Sequence, residues 1–184
     1  MKNFKAKDLM IPADEYCRVK KDTTLHEAMA QLVIQSEEKG LSHPHRDLLV
    51  EDENGKIIGK VTMLDIFKSM EPSYFKMENN GHQGALSKEY VQKVYTDFNL
   101  WSEPMSTLCQ KCAALKVADL MHTPHLSEMI NEDDSIDKAL HSFVLGLHQP
   151  ILVQKDGNVT GVLRLGDIFE NIRKAILACE IETA

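Results

Sequence analysis

The chain has 184 residues, a net charge of −7 and 43% hydrophobic residues, enough to fill the core of one domain or two small ones packed together. The acidic balance, without a long Lys/Arg run, argues against a nucleic-acid footprint, and no apolar run reaches the roughly 18 residues that span a bilayer. Four scattered cysteines and a start, Met1 to Asp8, without an apolar leader core point to a reducing, cytoplasmic setting.

In chain order, the opening segment Lys5-Ala6-Lys7-Asp8-Leu9-Met10 returns as Lys116-Val117-Ala118-Asp119-Leu120-Met121. At the same offset, Leu25, Ala28, Met29, Leu32 and Val33 form one helical stripe and Ile136, Ala139, Leu140, Phe143, Val144 and Leu147 form another. Asp22-Thr23-Thr24 and Asp134-Ser135 supply helix N-caps. A short apolar strand follows in each half, Leu48-Leu49-Val50 and Ile151-Leu152-Val153, then a turn at Asn54-Gly55 or Asp156-Gly157 and another strand. The offset shortens here because the first half has the longer connection, around Glu37 to His43.

Each half closes on a related stretch, Gly59-Lys60-Val61-Thr62-Met63-Leu64-Asp65-Ile66-Phe67 and Gly161-Val162-Leu163-Arg164-Leu165-Gly166-Asp167-Ile168-Phe169. An apolar strand runs into a helix in both, with an aspartate in the first turn, where backbone N–H groups point outward. The expected architecture is α/β (α+β), two pseudo-twofold-related β-α-β-β-α repeats over 1–70 and 116–184. Between them, 71–115 is an insertion that is turn-rich from Glu71 through Gly81. It then becomes helical, with a stripe of Tyr90, Val91, Val94, Tyr95, Phe98 and Trp101 and a second helix over Met105 to Ala114. That stripe either packs on its own module or serves as a dimer contact or a lid.

The duplicated Asp-Leu-Met opening, alanine-bearing helix, Asn-Gly or Asp-Gly hairpin and glycine-to-aspartate closing motif resemble a tandem pair of CBS domains, a Bateman module, here of the stand-alone type. The resemblance implies two repeats packed through their sheets, no catalysis, no required cofactor, and regulation by an adenine nucleotide of the AMP, ADP or ATP class, with a homodimer and a separate protein target as partners. It assigns the ribose to Asp65 and Asp167, whose alternative role is plain helix capping. It gives the hydroxyl of Thr62 to the ligand. Arg164 stands at the equivalent place in the second half, where it either grips a phosphate or folds back onto Asp167. His45-Arg46 and His148 are placed toward phosphate. The loop entering the first helix of the opposite repeat assigns Thr23 and Ala28 to the cleft of Asp167, and Asp134 and Ala139 to that of Asp65; Pro150-Ile151 forms an apolar floor for adenine. A degenerate pair of clefts, leaving a dimerisation scaffold, is the competing reading, favoured by Arg164, Asp134 and Asp47. Cys109-Gln110-Lys111-Cys112 has metal-pair spacing, with His122 and His125 as remote candidates to complete it, but its simpler reading is two ordinary thiols.

Overall fold

A computed structural model of the chain describes residues 4–38, 45–74, 87–147 and 149–179. The first-half sheet has three strands, β2 (Arg18–Lys20), β3 (Leu48–Glu51) and β4 (Ile57–Val61), in the order β2-β3-β4. The second has four, β1 (Ile11–Pro12), β5 (Met129–Asn131), β6 (Ile151–Lys155) and β7 (Asn158–Leu163), in the order β1-β7-β6-β5. In both sheets a parallel pair joins across the helix and an antiparallel hairpin follows. The second hairpin turns tightly at Asp156 and Gly157, both with positive φ, because only such a turn matches the strand twist.

The helices obey their apolar spacing. In α2 (Leu25–Glu38), Leu25, Ala28 and Leu32 are buried, but Val33 faces solvent, one position beyond the buried stripe. Thr24 starts this helix in a reciprocal cap with Glu27. The equivalent helix, Ile136–Val144, buries Ile136, Ala139 and Phe143 and leaves Val144 exposed. Ser135 makes no side-chain cap there. Asp134 instead accepts from the Asn131 N–H at 2.9 Å and pairs with Lys138.

The opening segments change places. The one-turn helix Ala6–Leu9 and β1 of the first repeat pack on the second half: Ala6 N–H donates to Asp134 O at 2.8 Å, Ala6 sits in the second core, and Ile11 and Pro12 pair with Val162 and Gly161. The matching turn Val117–Leu120 joins the first half, its Val117 N–H donating to Thr23 O at 2.9 Å, with Val117 and Leu120 in the first core. This crossing explains the glycine that opens each closing stretch. A Cβ on Gly161 would lie 2.5 Å from Met10 Sδ and 2.8 Å from Ile11 O; one on Gly59 would meet His122 O and Met121 Sδ, each at 3.0 Å.

A third apolar cluster joins the sheets face to face through Leu49, Leu152 and Val162, with Ala13 and Tyr16 at its edge. The insertion supplies helices Lys88–Asp97 and Met105–Ala113. The second buries Leu108 and Cys112 against the first half. The first fully buries no residue: Val91, Tyr95 and Phe98 are exposed, while Tyr90, Val94 and Trp101 of the same stripe are half-buried. Trp101 anchors the insertion, its indole N–H reaching the Tyr74 hydroxyl at 3.1 Å and its backbone N–H the Glu71 carboxylate at 2.8 Å. The turn-rich stretch from residue 75 through Gly81 and the site candidate His148 lie outside the described residues.

Candidate functional site

Strands β4 and β7 each end where a helix begins, and the residue at that junction decides what the helix mouth offers. In the first half Thr62 is the N-cap of α3 (Met63–Met70), because a hydroxyl followed three residues later by a carboxylate satisfies two of the orphan N–H groups of a helix start. The Thr62 N–H and hydroxyl donate to Asp65 Oδ2 at 2.8 and 2.7 Å, and Thr62 Oγ1 accepts from the Asp65 N–H at 3.4 Å. Both residues are nearly enclosed, at 6% and 7% exposure.

In the second half Arg164 takes the junction before the helix Leu165–Leu177 and makes no cap. Its guanidinium turns onto Asp167 instead, Nε to Oδ2 at 2.6 Å and Nη2 to Oδ1 at 2.8 Å. This fork engages both carboxylate oxygens and holds the guanidinium pKa above its ordinary value. The pair is more open than its twin, the side chains being 24% and 33% exposed.

Between the two mouths lies a partly buried acid. Asp47, just before β3, accepts a hydrogen bond from the Tyr16 hydroxyl, and the Tyr16 ring stacks on His45 with centroids 4.3 Å apart. Burial raises the Asp47 pKa, opposed by the Tyr16 hydrogen bond and by the charges of Arg164 and Lys60. Burial, with the Asp47 charge, pushes the Tyr16 hydroxyl far up. Asp47 is thus within electrostatic reach of a cation from each half.

Lys60 is the other cation, and it is completely buried on the sheet face that meets the second half. Its ammonium donates to Pro150 O at 2.7 Å and lies 3.4 Å from Glu128 Oε2, which His122 Nε2 also contacts at 2.6 Å. Desolvation pulls the lysine pKa down, and Glu128 pulls it back. Lys60 pairs with Leu49 as Val162 pairs with Leu152, and Arg18 pairs with Leu49 as Met129 pairs with Leu152. Lys60 and Glu128 therefore occupy the places of Val162 and Cys17. Aligning the two repeats shows both departures, each a charge where the twin has none; that signal marks Lys60 and Glu128, which the motif comparison passes over.

The duplicated closing motif and the two sheets packed face to face have a counterpart among known proteins: the family model described as CBS domain matches residues 6–72 and 117–174. The chain belongs to the CBS-domain family. No curated protein matches this CBS pair. Among solved structures, it resembles CBSX2 in complex with AMP, a CBS-pair protein of Arabidopsis thaliana, at 19% identity and TM-score 0.56 over 95% of this chain and 99% of that one. It also resembles an uncharacterized conserved protein from Pyrococcus horikoshii (17%, TM-score 0.59, 100% and 99%) and the CBS domain of a bacterial CNNM/CorC family Mg2+ transporter in complex with ATP (14%, TM-score 0.56, 94% and 89%). At these identities the likeness shows the shared fold.

Within this CBS pair the remaining candidates divide. His45 is buried beside Tyr16 while its neighbour Arg46 is exposed, so the two do not point to one place. Ala28, Ala139 and Ile151 are fully buried in the two cores, where they pack rather than line a surface. Pro150 is buried and contributes its carbonyl to Lys60; Thr23 contributes its carbonyl to Val117. Cys109 is exposed and Cys112 buried, all four cysteines are free, and His122 is engaged with Glu128. Among the described residues no group of three or more His, Cys, Asp or Glu is arranged to hold a metal, and no helix is long and apolar enough to cross a membrane.

Proposed function

We propose that this CBS pair is a cytoplasmic regulatory sensor that binds an adenosine nucleotide of the AMP, ADP or ATP class between its repeats and, as a homodimer, passes the bound state to a separate protein target. The observation that carries the reading is Asp65, a carboxylate in the first turn of a helix at the junction of two packed CBS sheets, which accepts from the neutral hydroxyl and amide of Thr62 in its cap. A ribose offers two adjacent hydroxyls, and a carboxylate accepts from both. Binding exchanges the Thr62 hydroxyl bond for ligand bonds, a swap with little net cost, while the positive end of α3 favours the nearby phosphate. Structures of the same fold described with AMP and with ATP support this class of ligand. The ligand shifts the protein only by its differential affinity for two arrangements of the halves.

A thermal-shift series with AMP, ADP, ATP and S-adenosylmethionine tests the reading. A ligand at about 100 times its dissociation constant adds about 2.7 kcal/mol of stability. At least one nucleotide should raise the melting temperature of the wild type, and Asp65→Ala should erase that rise. If none moves it, the second reading takes over, a dimerisation scaffold with degenerate clefts. The Arg164–Asp167 pair and the exposed Val91, Tyr95 and Phe98 of the insertion favour that alternative.

A further inference from the structure

We propose that Arg164 is a built-in occupant of the second half-site, so that the chain takes one adenosine ligand, at the Asp65 mouth, although its repeat supplies two carboxylates in equivalent places. The inference rests on the sensor reading above and adds its stoichiometry and the residue that sets it.

The two mouths differ in what a ribose must displace. At Asp65 the Thr62 hydroxyl is a neutral donor that turns about one bond and can then donate to the incoming ligand. At Asp167 the competitor is a guanidinium that holds both carboxylate oxygens in a planar fork at 2.6 and 2.8 Å. Charge-assisted bonds of this kind are about twice as strong as neutral ones, so two neutral ribose hydroxyls do not replace them at equal cost.

Releasing Arg164 toward a phosphate is opposed from a second side. Asp47 and Asp167 both act on this guanidinium, and an arriving phosphate brings negative charge toward Asp47. Lys60 offers no substitute cation, since it is enclosed between the sheets and committed to Pro150 O and Glu128. Arg164 thus does for Asp167 what a ligand would do: it engages both carboxylate oxygens.

Isothermal titration calorimetry with AMP and with ATP, each run separately, tests this. Wild type should bind one nucleotide per chain. Arg164→Thr, which restores the residue found at Thr62, should bind two; Asp65→Ala should bind none, and the double variant one, at the opened Asp167 mouth. Should Arg164→Thr not fold, Arg164→Gln, which keeps a planar donor without the charge, replaces it with the same readings. Two nucleotides on the wild type, or one on both the wild type and a folded Arg164 variant, overturns the proposal. Binding by the Arg164 variant alone keeps Arg164 as the occupant but removes the Asp65 mouth as the working site. No binding by either protein to either nucleotide defeats the sensor reading itself, and this inference with it.

Discussion

The helix mouth at Thr62 and the one at Arg164 stand at equivalent points of one duplicated motif, yet one is closed by a neutral reciprocal cap and the other by an ion pair. The same contrast runs deeper in the junction, where Lys60 and Glu128 replace the Val162 and Cys17 of the opposite repeat and meet each other across the two halves. A duplicated fold drifts most freely where a change in one copy is compensated by a change in the other. The contact between the sheets is where such pairs form, because there each copy is the other's environment.

The sharpest way to break this comparison is to remove one member of the buried pair. Glu128→Val takes from the enclosed Lys60 the carboxylate that lies 3.4 Å away and should cost about 3–5 kcal/mol in urea unfolding. Lys60→Val should cost less, because His122 still holds Glu128. The double change Lys60→Val with Glu128→Cys, which restores the residues of the twin positions, should come back close to the wild type. In Glu128→Val the lysine loses the carboxylate that raises its pKa, and burial lowers it further below 10.5. The unfolded chain then binds a proton that the folded one has shed, so stability should rise with pH up to about that value. A double variant that costs the sum of the two single changes would show that the pair does not couple the halves.

The crossed opening segments give a second, smaller contrast. Gly161→Ala forces a methyl against Met10 and the Ile11 carbonyl and should cost about 3 kcal/mol, at the upper end of overpacking effects. Gly59→Ala, with its nearest contacts at 3.0 Å, should cost about 1 kcal/mol. Thermal unfolding of the two variants side by side reads the difference, and the reverse order would mean that the openings do not lie on the closing strands as described.

The mildest test concerns the acid shared by the two mouths. Burial raises the Asp47 pKa above 3.8, so in the folded state its charge is a liability at neutral pH that vanishes once both folded and unfolded forms are protonated. Asp47→Asn, which keeps an acceptor for Tyr16, should raise the melting temperature at pH 7, with the gain fading as the pH falls toward 3.8. A loss of stability at pH 7 would show that the attraction to Arg164 and Lys60 outweighs burial.

Much of the candidate site was legible in the chain because its parts are local. Thr62 and Asp65 are three residues apart, and a helix start brings that spacing together wherever it occurs. The fold-back of Arg164 onto Asp167 uses the same spacing, and it stood open beside phosphate binding only because local geometry permits both. The insertion stripe was legible as a helix, but not which of its residues stay exposed: periodicity shows that an apolar face exists, not how much of it is covered. Lys60 was hidden for the opposite reason, since a lone lysine in a short strand ordinarily faces water. His45 and Arg46 are neighbours in the chain, but the packing of Tyr16 draws only the first inward.

By itself the sequence determined that there are two copies of one unit, which segments are helix and strand, and where each closing helix begins, since these follow from spacing along a single stretch of backbone. Only the tertiary structure decided that each opening segment joins the other copy's core, that Lys60 meets Glu128 between the sheets, and that Asp47 lies between the two mouths. Those outcomes depend on which surfaces come into contact, and contact between residues far apart in the chain is set by shape and burial, which no local pattern encodes.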